Sequence, residues 1–113
     1  MTIIEQRKHR RFAVVRQPAG DVLLRTATAA YPVNVIKDIS SSGIRVYLHQ
    51  ALPVSSQLIL EYVEPNLKLE VNGTVAWCAT RRITPAVADE AGKFVIGIEL
   101  FSPVLLLAVM KQV

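Results

Sequence analysis

Residues 38–49, DISSSGIRVYLH, decide the fold. Ser40 to Gly43 read as a turn, and Asp38 just before them is another type that turns prefer, because Asp and Ser bond their own backbone and Gly accepts unusual φ. Ile44, Val46 and Leu48 then alternate with Arg45, Tyr47 and His49. A period of two puts the apolar set on one face and the polar set on the other, so this is a half-buried strand entered from a turn. The same reading extends in both directions. Upstream, Tyr31 to Ile36 is a strand with Tyr31, Val33 and Val35 on one face, and Val22 to Thr28 is an earlier one, preceded by a turn over Gln17–Asp21. Downstream, Pro53 to Ser56 breaks the pattern, and Leu58, Leu60 and Tyr62 alternate with Ile59, Glu61 and Val63. After Pro65-Asn66, Leu67, Leu69 and Val71 continue through Gly73 to Val75 and Trp77. A Gly inside a strand pattern predicts a bulge or bend there. Thr80 to Lys93 reads as a loop, and Phe94, Ile96, Ile98 and Leu100 as the last strand. Ser102 is placed to cap a helix with Pro103 in its first position. Val104 to Val113 is almost wholly apolar, so that helix must be buried, either across the barrel mouth or against a second copy. About six short strands and one terminal helix predict an all-β barrel.

At 113 residues the chain has the length of one domain. Its 51% apolar and 19% charged content argues against disorder, and with only 6% aromatics the core must come from Val, Ile, Leu and Ala. One cysteine, Cys78, excludes an internal disulfide and any multi-cysteine zinc site. Two histidines, His9 and His49, leave little for a metal. No apolar run approaches the ~18 residues of a membrane span, and the N-terminus lacks a signal-peptide pattern. The expected compartment is the cytoplasm.

The net charge of +4 is unevenly placed. Residues 1–25 hold six basic side chains and two acidic ones, whereas residues 26–113 hold seven of each. Residues 1–20 therefore read as a flexible basic arm, and 21–113 as the barrel with its helix. Such an arm is either a solvated tail or the part that meets a phosphate-bearing partner.

Two motifs occur in order. Arg7-Lys8-His9-Arg10-Arg11-Phe12 contains Arg-x-x-x-Arg, and Asp38-Ile39-Ser40-Ser41-Ser42-Gly43 contains Asp-x-Ser-x-x-Gly between strands. Each alone is weak; together they are specific. Gly73-Thr74-Val75-Ala76-Trp77 and Phe94-Val95-Ile96-Gly97-Ile98-Glu99-Leu100 extend the pattern. From about Glu5 to Phe101 the chain resembles the PilZ domain, the bacterial receptor module for cyclic di-GMP. Ile98 and Leu100 are conservative departures from the family's closing strand. The resemblance implies a six-stranded antiparallel β-barrel with a C-terminal helix.

It also implies a site. Arg7 and Arg11 would grip phosphate and the guanine Hoogsteen edge, as a planar guanidinium fork can. Asp38 would accept the guanine N1–H and N2–H, and Ser40 would add a hydroxyl. Gly43 would permit a positive φ and close backbone approach. Gln6, Lys8, Arg10 and Gly97 are candidates for secondary contacts. An uncharged Gln6 before the arginine motif favours a stacked pair of ligands, whose phosphates the arm's cations would offset. The arm would order on binding and so signal to a separate, unidentified effector protein, since the chain carries no output domain of its own. A homodimer through the apolar helix is the other partner considered.

Two other classes stand beside this reading. One is a ligand-blind PilZ-like adaptor for protein contacts. The other is a small basic barrel for single-stranded nucleic acid, disfavoured by the scarcity of aromatics. Catalysis is not expected: the sequence offers no nucleophile–base pair, no suggestive carboxylate spacing and no phosphate-cradling Gly-rich loop. No cofactor is called for. Trp77 reads as core or rim, Cys78 as a small strand residue, and the role of Arg81-Arg82 is left undecided.

Overall fold

A computed structural model describes residues 11–82 and 92–111. The strands are β1 (Phe12–Ala13), β2 (Asp21–Arg25), β3 (Ala30–Val33), β4 (Val35–Ile39), β5 (Gly43–Leu48), β6 (Gln57–Glu64), β7 (Leu67–Thr80) and β8 (Phe94–Leu100), followed by helix α1 (Val104–Lys111). They form one sheet in the order β1-β4-β5-β8-β7-β6-β2-β3. Every ladder is antiparallel.

The six-strand barrel is corrected on two points. Among the described residues eight strands are present, and the sheet they form is open, curled into a half-barrel. The extra strands have local causes. The run from Tyr31 to Ile36 is cut at Asn34 into β3 and β4, which lie near opposite ends of the sheet. Laid flat, with strands ~4.8 Å apart, those two would be roughly 29 Å from each other. A single linking residue spans only ~3.6 Å. The sheet must therefore curl, and β3 does touch β5. Hydrogen bonding does not close the gap. The edge strands are β1, two residues long, and β3, where Pro32 lacks a donor.

The expected arm is also partly within the sheet. From Arg11 onward the chain is docked: β1 pairs with β4, and the Val14 N–H reaches the Lys37 carbonyl at 3.1 Å. The Gln17 side-chain amide then bonds both backbone groups of Ile36, accepting from its N–H at 2.7 Å and donating to its carbonyl at 3.0 Å. That amide continues the β4 ladder where β1 has ended.

Other boundaries shift by a few residues. β2 stops at Arg25 rather than Thr28, because Thr26 forms a turn in which its hydroxyl accepts from the Ala29 N–H at 3.2 Å. The irregularity expected at Gly73 lies instead between Val75 and Trp77. The helix begins one residue late: the Leu107 N–H bonds the Pro103 carbonyl at 2.8 Å, so Pro103 rather than Ser102 is the first acceptor.

The concave side of the sheet is the core. Leu24, Ile36, Ile39, Ile44, Val46, Leu60, Val75 and Ile96 are buried there, each stabilising the fold by roughly 1.5–3 kcal/mol. Tyr62 joins them, its hydroxyl donating to Glu64 and accepting from the Gly20 N–H at 3.2 Å. One face of α1 covers the core through Leu106 and Met110, one helical turn apart. Val104 and Leu105, with the preceding Phe101, face outward. The expectation of a buried helix therefore holds for one face.

Candidate functional site

Asp38 owes its position to an irregularity in β4. Ile36 pairs with Val46 and Asp38 with Arg45, so Lys37 is an extra residue. In a regular strand, Ile36 and Asp38 would share a face. The bulge reverses the alternation: Ile36 and Ile39 both enter the core, and Asp38 turns to the outer face beside Arg45. Without it, a carboxylate would point into the hydrocarbon core.

On that face Asp38 sits beneath two arginines. Arg11 Nε donates to Asp38 Oδ1 at 2.8 Å. Arg45 Nε donates to the same oxygen at 2.8 Å, and Arg45 Nη2 to Asp38 Oδ2. The Asp38 side chain is only 8% exposed, whereas those of Arg11 and Arg45 are 34% and 31% exposed. Burial by itself would raise the Asp38 pKa. Hydrogen bonds from Arg45 and then Arg11, reinforced by their charges, outweigh burial and hold the carboxyl below its ordinary range. The acid is thus fixed as an anion.

The turn supplies the next group. Ser40 is fully buried and its N–H bonds the Gly43 carbonyl at 2.8 Å. Its hydroxyl accepts from Arg11 Nη1 at 3.3 Å and from the Ser42 N–H at 3.2 Å. Arg11 therefore spans Asp38 and Ser40, residues 27 and 29 positions away along the chain.

Gly43 does not adopt the left-handed φ expected of it; Gly92 is the one described glycine that does. Gly43 is needed for close approach, because a Cβ there would lie 2.4 Å from the Ile98 carbonyl oxygen. The turn is packed directly on β8.

The face continues across the sheet. In register, Asp38 lies opposite Arg45, Arg45 opposite Gly97, and Gly97 opposite Trp77. The Trp77 indole lies over Gly97: a Cβ on that glycine would be 2.3 Å from both Cε2 and Nε1. The missing side chain leaves room for the ring on Gly97, which stands opposite Arg45. The result is one strip holding a carboxylate, two guanidinium groups and an exposed aromatic face.

Arg11, Asp38, Ser40 and Gly43 are therefore brought together, with Gly97 on the same strip. Arg7, Gln6, Lys8 and Arg10 lie outside the described residues. Arg45, which the sequence reading did not single out, joins this cluster, and Trp77, read as core or rim, is part-exposed on the outer face. The signal for Arg45 was present: a turn ending at Gly43 puts an outward β5 residue opposite Asp38, and there an arginine faces an acid. Arg81 has a structural place, with its guanidinium 3.8 Å from the Tyr47 ring centroid and its Nη1 donating to the Gly92 carbonyl at 2.7 Å.

A groove of about 1000 Å3 lies elsewhere, lined in part by Arg25, Gln57, Asn72, Thr74 and Glu99. It reaches the turn at Ser42 and includes none of Arg11, Asp38 or Arg45. Among the described residues, no group of three or more His, Cys, Asp or Glu side chains is placed to hold a metal. No helix among them is long and apolar enough to cross a membrane.

A curled antiparallel sheet with a cationic cluster around one buried acid defines a small β module. The PilZ domain model matches residues 5–99, and the chain belongs to that family. Membership suggests a cyclic di-GMP-binding or adaptor role, since PilZ domains are ligand-binding and adaptor domains rather than enzymes. No curated protein and no solved structure matches the chain.

Proposed function

We propose that this chain is a cyclic di-GMP receptor that acts on a separate effector protein in the cytoplasm. The observation that carries the reading is the junction of Arg11, Asp38 and Ser40 on one outer face. The arginines supply forks for phosphate or for the guanine O6/N7 edge. The ionised Asp38 supplies the acceptor for guanine N1–H and N2–H. Trp77 offers a flat face for the second purine. Arg7, four residues before Arg11, adds a second fork from the arm. Gln6, Lys8 and Arg10 belong to the same reading as secondary contacts.

An adaptor role through protein contact is the second reading. It is favoured by Phe101, Val104 and Leu105, three large apolar side chains that stand exposed beside one another along the chain. The two readings are compatible if ligand binding at the arm alters what this surface meets.

The test is a calorimetric titration of cyclic di-GMP into the wild type and into Arg11→Ala. The receptor reading expects micromolar or tighter binding, its heat largely lost in the variant. The stoichiometry then distinguishes one ligand from a stacked pair. A folded wild type that gives no heat would sink the reading and leave the adaptor.

A further inference from the structure

We infer that Gln17 is a positioning residue of the site: its side-chain amide clasps the β4 bulge to the end of the arm and so keeps Arg11 over Asp38. This deepens the proposed receptor reading and rests on it for the ligand used in the test.

In a regular strand, successive residues turn their backbone groups to opposite sides. Around Lys37 they do not. Ile36 turns its N–H and its carbonyl toward the arm, and the next carbonyl, that of Lys37, points the same way. Strand β1 is two residues long and stands opposite Asp38 and Ile39, so it reaches none of them. The Val14 N–H takes the Lys37 carbonyl at 3.1 Å. Gln17 supplies the rest. Its Oε1 accepts from the Ile36 N–H at 2.7 Å. Its Nε2 donates to the Ile36 carbonyl at 3.0 Å and to the Val14 carbonyl at 3.3 Å. One primary amide thus stands in for a peptide group of a missing strand and closes the turn from Val14 to Gln17. The pattern needs one acceptor and two donors at the end of a long side chain. Glutamate has the reach without the donors, and asparagine has the groups but is one methylene short.

Both parts of the site hang on this clasp. On one side, the bulge turns Asp38 to the outer face. On the other, the chain runs back from Gln17 through Val14 and β1 to Arg11, whose Nε and Nη1 reach Asp38 and Ser40. Val15 and Arg16, between the two anchor points, are exposed. Gln17 is itself at the surface, so water can take over its bonds to Ile36 once the amide is gone. Water cannot hold the end of the arm. Removing the amide therefore frees the arm more than it weakens the sheet.

The experiment titrates cyclic di-GMP into the wild type, Gln17→Met and Val15→Ser, and records the arginine Nε–H resonances of each protein without ligand. Gln17→Met keeps length and charge while removing both donors and the carbonyl acceptor. It should bind about tenfold more weakly, the loss expected when the docked arm falls to about a tenth of the population. Its Arg11 resonance should move from the carboxylate-bonded position toward that of free arginine, with the Arg45 resonance in place and Tm close to wild type. Val15→Ser, at a neighbour that faces solvent, should match the wild type in all three readings.

Unchanged affinity and an unchanged Arg11 resonance in Gln17→Met would overturn the inference. So would an equal loss in Val15→Ser. A large fall in Tm with the Arg11 resonance still carboxylate-bonded would overturn it too, because that marks a merely structural role. A folded wild type that gives no heat would overturn the receptor reading alone, and the ligand-free resonances would still decide whether Gln17 positions Arg11. If Gln17→Met does not fold, hydrogen exchange in the wild type decides instead. A ligand that holds the arm must, by linkage, tighten the contact between Gln17 and Ile36. Exchange of the Ile36 amide should therefore slow severalfold when cyclic di-GMP is added, and unchanged exchange would overturn the inference.

Discussion

Two carboxylates on the outer face, Asp38 and Glu61, are both buried against arginines, yet their clusters carry different net charge. Glu61, on β6, meets Arg25 at 2.5 Å and Lys68 at 3.8 Å, while Glu70 meets both cations at 3.4 Å. Two cations face two anions, and the cluster neutralises itself. Among the described residues, Asp38 meets Arg11 and Arg45 with no second acid in the cluster. Within those residues one positive charge is left over, beside Trp77 and at the edge where the basic arm joins the sheet. The geometry of the pairing is alike in both places; the surplus is what makes one of them suited to an anionic ligand. An ion pair by itself is therefore no sign of a site. The sign is a charge that the fold leaves uncompensated.

That contrast can be broken most directly by removing each acid in turn. Asp38→Ala should weaken cyclic di-GMP binding by about 100-fold or more, since two charge-assisted acceptors are lost together. Glu61→Ala should leave it within about twofold of wild type, as expected for a distant, independently paired site. Calorimetry on both variants checks this, and equal losses would erase the distinction between the clusters. Glu61→Ala should instead lower Tm, because Arg25 keeps a buried Nε that already lacks a partner among the described residues.

Gly97→Ala should have the next largest effect. The new methyl would overlap the Trp77 ring and push it off the strip. Binding should weaken by roughly tenfold, on the scale of one lost stacking contact, and the tryptophan emission of the free protein should shift as the ring moves. Unchanged emission would mean that the ring has another resting place.

Ionic strength sharpens the comparison further. Raising salt from about 0.05 to 0.5 M shortens the screening length severalfold. Affinity should then fall by several-fold, because the surplus charge lies on half-exposed arginines. Titrations at the two salt concentrations measure it.

The smallest effect is the acid limb of stability. Both carboxyls are held below their ordinary range, burial being outweighed by hydrogen bonds from Arg45 and Arg11 at Asp38, and by the Arg25 hydrogen bond with the charges of Arg25 and Lys68 at Glu61. A depressed folded pKa contributes stability that is complete above the unfolded value and is lost as pH falls through the folded one. Thermal melts should therefore be level down to about pH 4 and decline below it. Asp38→Asn should show a shallower decline, because one of the two proton-linked groups is gone.

Much of this was legible in the residues. The strands β5, β6 and β8 follow period-two alternation and begin and end within a residue of where the pattern puts them. The turn residues Asp38, Ser40 and Gly43 were readable from their types, and Arg11 from its motif. Less legible was the break at Asn34, because Tyr31, Val33 and Val35 keep alternating across it. β1 was invisible, since two residues carry no period. The outward pose of Trp77 was not legible, because it depends on the shift between Val75 and Trp77.

By itself, the sequence determined most of the strands, the composition of the core and the chemistry available to the site. Those depend on local period and residue type, which act over a few neighbours along the chain. Only the tertiary structure decided the open half-barrel, the reversal at Lys37 that turns Asp38 outward, and the pairing of Asp38 with Arg45. Strand partners and bulges are settled by packing and hydrogen bonding between segments tens of residues apart. A one-residue change in register moves a side chain to the other face of the sheet. Here that single residue separates a carboxylate buried in hydrocarbon from one held by two arginines.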